Sequence, residues 1–157
     1  MIFMSKIQTT NKFEKAFVMM LNTFDDWQLE WVGDKNLCYD AIGVTPKGNK
    51  CVVEMKFRKK YYETKMLEVK KYNALMELDS DIVKIYFVSD PQGSYWFWLD
   101  KLKDIKVFEK SCPTTSYWGN NKIQKEVFLL KEELASIVDK AGEERVNIWE
   151  DYFKNKK

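Results

Sequence analysis

The sequence predicts an α/β fold: a central mixed sheet of four to five strands, flanked by helices on both faces. Three observations support this prediction. An apolar helical pattern covers residues 9–24, and strand-like runs at 37–58 and 82–99 are each interrupted by turn residues. A second helical pattern separates those runs. The apolar run 82–88 follows that pattern directly, which is typical of a strand in the middle of a mixed sheet.

Composition limits the classes of protein that this chain can represent. Its 157 residues are 45% hydrophobic and 15% aromatic, which excludes disorder and is enough for one core. We expect a single domain over 1–157, with a core at about 10–130 and a C-terminal helical addition at about 131–157. The net charge of +2 gives no global basic field, so a nucleic-acid partner would need a local cluster of lysines. The chain has no histidine, which excludes histidine-based catalysis.

Cysteine usage and hydropathy predict the compartment. Cys38, Cys51 and Cys112 are odd in number and lack CxxC spacing, so we expect neither a disulfide framework nor a zinc site. No secretory leader is evident at the N-terminus, and no apolar run approaches about 18 residues. These features predict a cytoplasmic protein with no membrane contact.

The first helix is predicted from a capping residue and an apolar repeat. Thr9 or Thr10 can cap it, and Glu14 lies at the edge of the apolar stripe, where it is either a functional group or an ordinary solvated flank. Residues 25–31 then lead into a first strand, in which Glu30 is a weaker acidic candidate, and 33–36 form a turn. The stripe consists of Phe13, Phe17, Met20, Leu21 and Phe24.

Residues 37–58 predict the β-hairpin around which the chain is organised. Two apolar, β-branched runs flank the segment 45–49, which contains Pro, Gly and Asn. If this segment forms the loop, Val44 faces Lys50. Because side chains alternate between the two faces of a strand, this pairing determines on which face each residue of the two strands lies.

Counting outward from the turn places Asp40 opposite Glu54, at roughly 4.5–5.5 Å between Cβ atoms. Lys56 shares the face of Glu54. Adjacent carboxylates raise each other's pKa, and Mg²⁺ relieves their repulsion because it takes hard oxygen ligands. A neighbouring ammonium can orient water or stabilise charge on phosphorus, so the pattern predicts metal-assisted phosphodiester hydrolysis. The alternative is a surface Glu–Lys ion pair worth about 0–1 kcal/mol, although Val52 on the same face argues against a purely polar surface.

The next segment predicts a helix and a second hairpin. A helical pattern covers 63–78, on which Lys70 and Lys71 are either phosphate contacts or members of a solvated face. The strand 82–88 and the aromatic strand 94–99 flank a turn with Pro at its second position. The aromatic strand is either core on both sides or presents rings to nucleobases, and burial is the more common use of aromatics in small domains.

The last third of the chain has a less regular pattern of apolar and polar residues. Residues 102–110 form a short amphipathic piece and 112–122 an irregular polar loop, which either hydrogen-bonds phosphates or is an ordinary connection. Residues 122–130 alternate as a last strand. Helices are predicted at 132–141, stopped by a glycine, and at 145–152.

Asp40, followed after thirteen residues by Glu54-Met55-Lys56 on a hydrophobic strand, resembles the core motif of the PD-(D/E)XK nuclease superfamily. This superfamily includes restriction endonucleases, Holliday junction resolvases and repair nucleases. The resemblance extends from the first helix to the strands after Ile82, and the segment ending in the last strand is similar to small phage-encoded members. Tyr39 stands where the superfamily usually has proline. The resemblance implies a restriction-endonuclease-like core.

The resemblance also implies roles for particular residues. Asp40 and Glu54 would hold Mg²⁺, for which Mn²⁺ can substitute, and the Met55 carbonyl and Glu14 would be additional metal ligands. Lys56 would position or activate the water. We expect a DNA endonuclease that selects branched or damaged structures, as a junction resolvase or a repair nuclease does.

The resemblance further implies DNA as the partner and a homodimer that cuts two strands, with no organic cofactor, in a bacterial or phage-infected cytoplasm. The Gln-x-x-x-Tyr signature of the exonuclease branch is absent. Two other functions stay open: a non-catalytic DNA-binding or anti-defence protein on the same fold, and an enzyme acting on RNA. The expected nucleic-acid contacts are Arg58, Lys70, Lys71, Lys122 and Lys125.

Overall fold

The computed structural model describes residues 6–113 and 122–142. Within these ranges the chain forms two α-helices and nine strands. In chain order they are α1 (Lys6–Phe24), β1 (Gln28–Trp31), β2 (Ala41–Val44), β3 (Lys50–Phe57), β4 (Thr64–Glu68), α2 (Val69–Met76), β5 (Val83–Asp90), β6 (Gly93–Trp98), β7 (Val107–Pro113), β8 (Lys122–Lys131) and β9 (Ile137–Lys140). Short 3-10 helices cover Leu99–Lys101 and Glu132–Leu134.

The main sheet has six strands in the order β1-β2-β3-β5-β6-β9. Its only parallel pair within the described residues is β3 and β5, and all its other neighbours are antiparallel. The predicted mixed α/β sheet is therefore confirmed, although it has six strands where four to five were expected. A second sheet, in the order β4-β8-β7, is an element that the sequence analysis did not predict.

Layers on both faces cover the main sheet. Helix α1 buries Val18 and Leu21 against one face. Helix α2 lies over the other face, where Leu75 packs in a core that also contains Leu67 of β4 and Leu130 of β8. The prediction of helices on both faces is thus confirmed, with the second face shared between a helix and the small sheet. Neither α1 nor α2 is long and apolar enough to cross a membrane.

Both predicted hairpins form. Val44 pairs with Lys50 across the turn, as expected, and Gly48 supplies the positive φ of 85° that the turn requires. In the second hairpin, Tyr95 and Phe97 are fully buried and Trp96 is 8% exposed. The aromatic strand β6 is therefore core on both faces.

Two predicted helices are wrong in whole or in part. The pattern at 63–78 is helical only from Val69, because residues 64–68 pair with β8 instead. The segment 132–141 forms a 3-10 turn followed by β9 rather than a continuous helix. Its β-branched pair at 137–138 finds a partner in β6, which no local pattern reveals.

The predictions for the rest of the C-terminal half are confirmed only in part. The strand 122–130 is confirmed as β8, and the amphipathic piece 102–110 ends as the first half of β7. The helix predicted at 145–152 and most of the loop predicted at 112–122 lie outside the described residues.

A buried lysine links the main sheet to the small one. Lys65 is 3% exposed, and its Nζ donates to Asp90 Oδ2 at 2.8 Å. The same ammonium lies 3.5 Å from Glu132 Oε1 and over the rings of Tyr61 and Tyr95, at 4.4 and 4.1 Å from their centroids. A charge buried this deeply is tolerated only because it is paired.

Replacing Lys65 should therefore destabilise the protein strongly. We expect Lys65→Met to lower the free energy of unfolding by about 3–5 kcal/mol, because it leaves the Asp90 carboxylate buried without its cation. Urea unfolding of the purified variant measures this loss.

Lys84 provides a matched control. It is 2% exposed, but its Nζ donates to the backbone oxygen of Asp79 at 2.8 Å. Lys84→Met should lower the free energy of unfolding by only about 1 kcal/mol, since no buried carboxylate loses its cation. Equal losses in the two variants would show that the Lys65–Asp90 pair has no special role.

Candidate active site

The site begins where β2 and β3 stop pairing. The last pair of this ladder is Ala41 with Val53, and Asp40 directly precedes it. The backbone N–H of Asp40 donates to Val53 O at 2.9 Å. Its side-chain Oδ2 accepts a hydrogen bond from the backbone N–H of Met55 at 2.8 Å. The aspartate is therefore fixed at the end of the hairpin by both its backbone and its carboxylate.

Glu54 lies beside Asp40, as the predicted register requires. It is only 3% exposed, which is rare for a carboxylate. Two ammonium groups approach its Oε1: Lys56 Nζ at 3.8 Å and Lys71 Nζ at 3.5 Å. Lys56 comes from the same strand and Lys71 from α2, so the second lysine reaches the site from a different element.

The environment of Glu54 favours its protonated form. Burial, together with the Asp40 carboxylate acting in the same direction, raises its pKa to about 7. Lys56 and Lys71 oppose this change without cancelling it. A glutamate in this state binds either a proton or a cation, because both relieve the repulsion between the two carboxylates.

A third carboxyl group comes from the first helix. Glu14 is 5% exposed, and its Oε1 accepts a hydrogen bond from Trp31 Nε1 at 2.9 Å. Burial raises the pKa of Glu14; the indole donor lowers it and the Asp40 carboxylate raises it. The Asp40 carboxylate thus raises the pKa of both glutamates. Of the two alternatives left open for Glu14, the solvated flank is therefore wrong, because its carboxyl group is buried.

The carboxylates at the end of β2 and β3 suit a hard divalent cation. Across residues 6–113 and 122–142, no three His, Cys, Asp or Glu side chains form a ready-made metal cluster. Mg²⁺ does not need one, since it is typically held by one or two carboxylates together with waters and substrate phosphates. Asp40 and Glu54 provide two adjacent carboxylates, one of them poorly solvated, so this set fits a hard divalent cation.

The Met55 carbonyl faces the same side of β3 as the carboxylate of Asp40. The N–H and C=O of one residue point to the same side of a strand, and the N–H of Met55 donates to Asp40. The carbonyl therefore points to the side of β3 on which Asp40 lies. This direction is compatible with the ligand role that was expected of it.

The predicted nucleic-acid contacts are distributed over two regions. Arg58 follows β3 and lies near the hydroxyl of Tyr86, which donates to Met66 O at 2.6 Å. Lys70 is exposed on α2, next to Lys71. Lys122 and Lys125 lie on β8 in the small sheet. The ammonium of Lys125 is paired with Glu68 at 3.0 Å.

Sequence reasoning missed two features of the site. Lys71 was expected to contact phosphate, but it is also a partner of Glu54. Trp31 was treated only as part of a strand, although its pairing with Ala41 brings it next to Asp40. Knowing that β1 pairs with β2 would have revealed Trp31. The other acidic candidate, Glu30, is exposed and lies 3.9 Å from Lys35.

Comparison with known structures finds a similar fold. The chain resembles Hjc of Archaeoglobus fulgidus, a Holliday junction resolvase from an archaeal hyperthermophile, with a TM-score of 0.56 and 12% sequence identity. The match covers 87% of this chain and 95% of the resolvase. The chain has the fold of Hjc. No family model matches the sequence, and a search of the curated proteins finds no similar sequence.

Removing the Glu54 charge should stabilise the protein when no divalent cation is present. The folded-state pKa of Glu54 is raised from 4.5 to about 7, so folded stability falls as pH rises through this interval, and the full penalty applies above pH 7. At pH 8 in EDTA, Glu54→Gln should increase the free energy of unfolding by about 1–3 kcal/mol, and at pH 5 by less. Chemical denaturation at the two pH values measures both differences.

The exposed Glu30 serves as the control for this prediction. Glu30→Gln should change stability by no more than about 0.5 kcal/mol at either pH. Added Mn²⁺ should raise the melting temperature of the wild type and of Glu30→Gln, but much less that of Glu54→Gln. If Glu54→Gln is less stable than the wild type at pH 8, the ionised carboxylate of Glu54 does not destabilise the fold and the prediction is wrong.

Proposed function

We propose that the protein is a Mg²⁺-dependent DNA endonuclease that hydrolyses phosphodiester bonds and selects its substrate by structure, as a junction or repair enzyme does. The observation that supports this most strongly is the meeting of Asp40, Glu54 and Lys56 at the end of the β2–β3 hairpin. These groups occur in a fold that the chain shares with a Holliday junction resolvase.

The carboxylates would hold the metal. Asp40 and Glu54 would be its protein ligands, with the Met55 carbonyl as a further oxygen donor and Glu14 as an additional carboxylate. When bound, Mg²⁺ would supply positive charge to the phosphate and lower the pKa of water. Asp40 keeps its orientation because the N–H of Met55 holds one of its oxygens. This arrangement is set before any ligand arrives.

Lys56 would position the attacking water. Its side chain is 45% exposed, so the ammonium can turn from Glu54 toward solvent or substrate without a large loss of burial. An ammonium donates three hydrogen bonds, enough to contact a carboxylate, a water and a phosphate oxygen together. A positive group at this place also stabilises the charge that develops on the phosphate.

Lys71 would serve both the site and the substrate. Its side chain is 31% exposed and lies 3.5 Å from Glu54 Oε1. When a cation binds Glu54 and neutralises its charge, the ammonium of Lys71 no longer needs to pair with Glu54 and can bind a phosphate. Lys70, Arg58, Lys122 and Lys125 remain proposed backbone contacts.

The basic residues favour recognition of shape over recognition of sequence. Base edges are read most often by arginine, whereas lysine contacts to phosphate carry no sequence information. The chain has 26 lysines and arginines in total, but only Arg58 and Arg145 are arginines. Arg58 lies near the Tyr86 hydroxyl. A homodimer would place two such sites on one branched substrate.

Cleavage of DNA tests the proposal directly. In Mg²⁺ or Mn²⁺ the wild type should nick a four-way junction faster than linear duplex of the same sequence. Asp40→Asn, Glu54→Gln and Lys56→Ala should each lower the rate by about 10²-fold or more, since each removes a charge on which the reaction depends. Gel analysis of labelled strands measures the rates.

Lys47→Ala, an exposed substitution in the turn of the hairpin, is the matched control and should cleave like the wild type. Junction binding without cleavage under any divalent cation would favour the non-catalytic DNA-binding or anti-defence alternative. Preferential cleavage of RNA in direct competition would show that DNA is the wrong substrate.

A further inference from the structure

The side chain of Trp31 connects the first strand to the candidate metal site. Trp31 ends β1, and its indole Nε1 donates to Glu14 Oε1 at 2.9 Å across 17 residues of sequence. The acceptor is a carboxyl group that is only 5% exposed. A buried carboxylate keeps one conformation only where a donor of fixed position holds it, and an indole N–H on a strand is such a donor.

The space around this hydrogen bond is limited by Gly33. A Cβ at this position would lie 2.7 Å from Glu14 Oε1 and 2.7 Å from Trp31 Nε1. Both distances are well below van der Waals contact. The backbone of Gly33 is outside the left-handed region, so the absence of a side chain matters here for space and not for backbone conformation.

The position of Trp31 is coupled to that of Asp40. Trp31 pairs with Ala41 in the β1–β2 ladder, and the next residue, Val32, donates its N–H to Asp40 O at 2.8 Å. The indole ring is covered by the ammonium of Lys15, 4.4 Å from the ring centroid. One strand end thus fixes Asp40 through the backbone and Glu14 through a side chain.

We propose that Trp31 is a positioning residue for the metal site: its N–H holds the Glu14 carboxylate beside Asp40, and Gly33 preserves the space for that hydrogen bond. This inference rests on the proposed function, because it gives Glu14 a role only if a cation binds there. Partners that orient metal-binding carboxylates typically contribute 10- to 100-fold to metal affinity.

Mn²⁺ binding to the full chain tests this inference independently of catalysis. The free Mn²⁺ signal in electron paramagnetic resonance gives the dissociation constant. Trp31→Phe keeps the ring but removes the donor, and Gly33→Ala places a methyl group against it. Each should weaken Mn²⁺ binding about tenfold. Combined with Glu14→Gln, neither should weaken it further, because the interaction is already lost.

Two controls separate positioning from general packing. Trp98→Phe removes a half-buried indole elsewhere in the sheet. Gly142→Ala adds a methyl group at a position where, chain neighbours aside, no atom of the described residues lies within 4 Å. Both should bind Mn²⁺ like the wild type. The inference is overturned if Trp31→Phe melts at a lower temperature but binds Mn²⁺ normally, or if its effect adds fully to that of Glu14→Gln.

The outcomes also separate this inference from the proposed function. A wild type that binds Mn²⁺ and cleaves DNA, with Trp31→Phe binding equally well, overturns the role of Trp31 alone. A wild type that binds no Mn²⁺ and cleaves nothing overturns both.

Discussion

The site depends on one hydrogen bond, from the backbone N–H of Met55 to the Asp40 carboxylate. β2 stops pairing with β3 at Ala41, so beyond this point the Asp40 side chain, and not a backbone carbonyl of β2, accepts the hydrogen bond from β3. This hydrogen bond satisfies a backbone donor in a buried strand and fixes the direction of the carboxylate. The hairpin register, the parallel contact of β3 with β5 and the packing of α1 all serve to keep this junction in place. Glu54 and Glu14 are then brought to Asp40 from the two faces of the sheet.

Burying the carboxyl groups of Glu54 and Glu14 near the charge of Asp40 costs stability. Burial and the charge of Asp40 raise the pKa of Glu54 to about 7, and they act on Glu14 in the same direction. The ammonium groups of Lys56 and Lys71 reduce the repulsion only in part. Buried carboxyl groups near another negative charge have no structural benefit of their own, whereas carboxyl groups with a raised pKa are common where a cation or a reacting group must bind. The buried pair of Lys65 and Asp90 differs, because its two opposite charges compensate each other and the pair links the main sheet to the small one.

Much of this arrangement could be predicted from the sequence, because the deciding signals are local. The turn at 45–49 fixes the register of the hairpin, and the register fixes Asp40 opposite Glu54. The small sheet and β9 could not be predicted, since their strands pair with partners far away in the chain: β4 with β8, and β9 with β6. The helical spacing in 63–68 and 132–141 was overridden by this pairing. Trp31 was missed as well, because its place next to Asp40 depends on the pairing of β1 with β2.

The central claim is that Asp40 and Glu54 share one divalent cation. A crystal of the protein soaked in Mn²⁺ and measured at a wavelength where manganese scatters anomalously tests it most directly. We predict an anomalous peak about 2.1 Å from carboxylate oxygens of both residues, with water completing the coordination. A map without a peak there, in which Glu54 stays paired with Lys56 and Lys71, would contradict the claim.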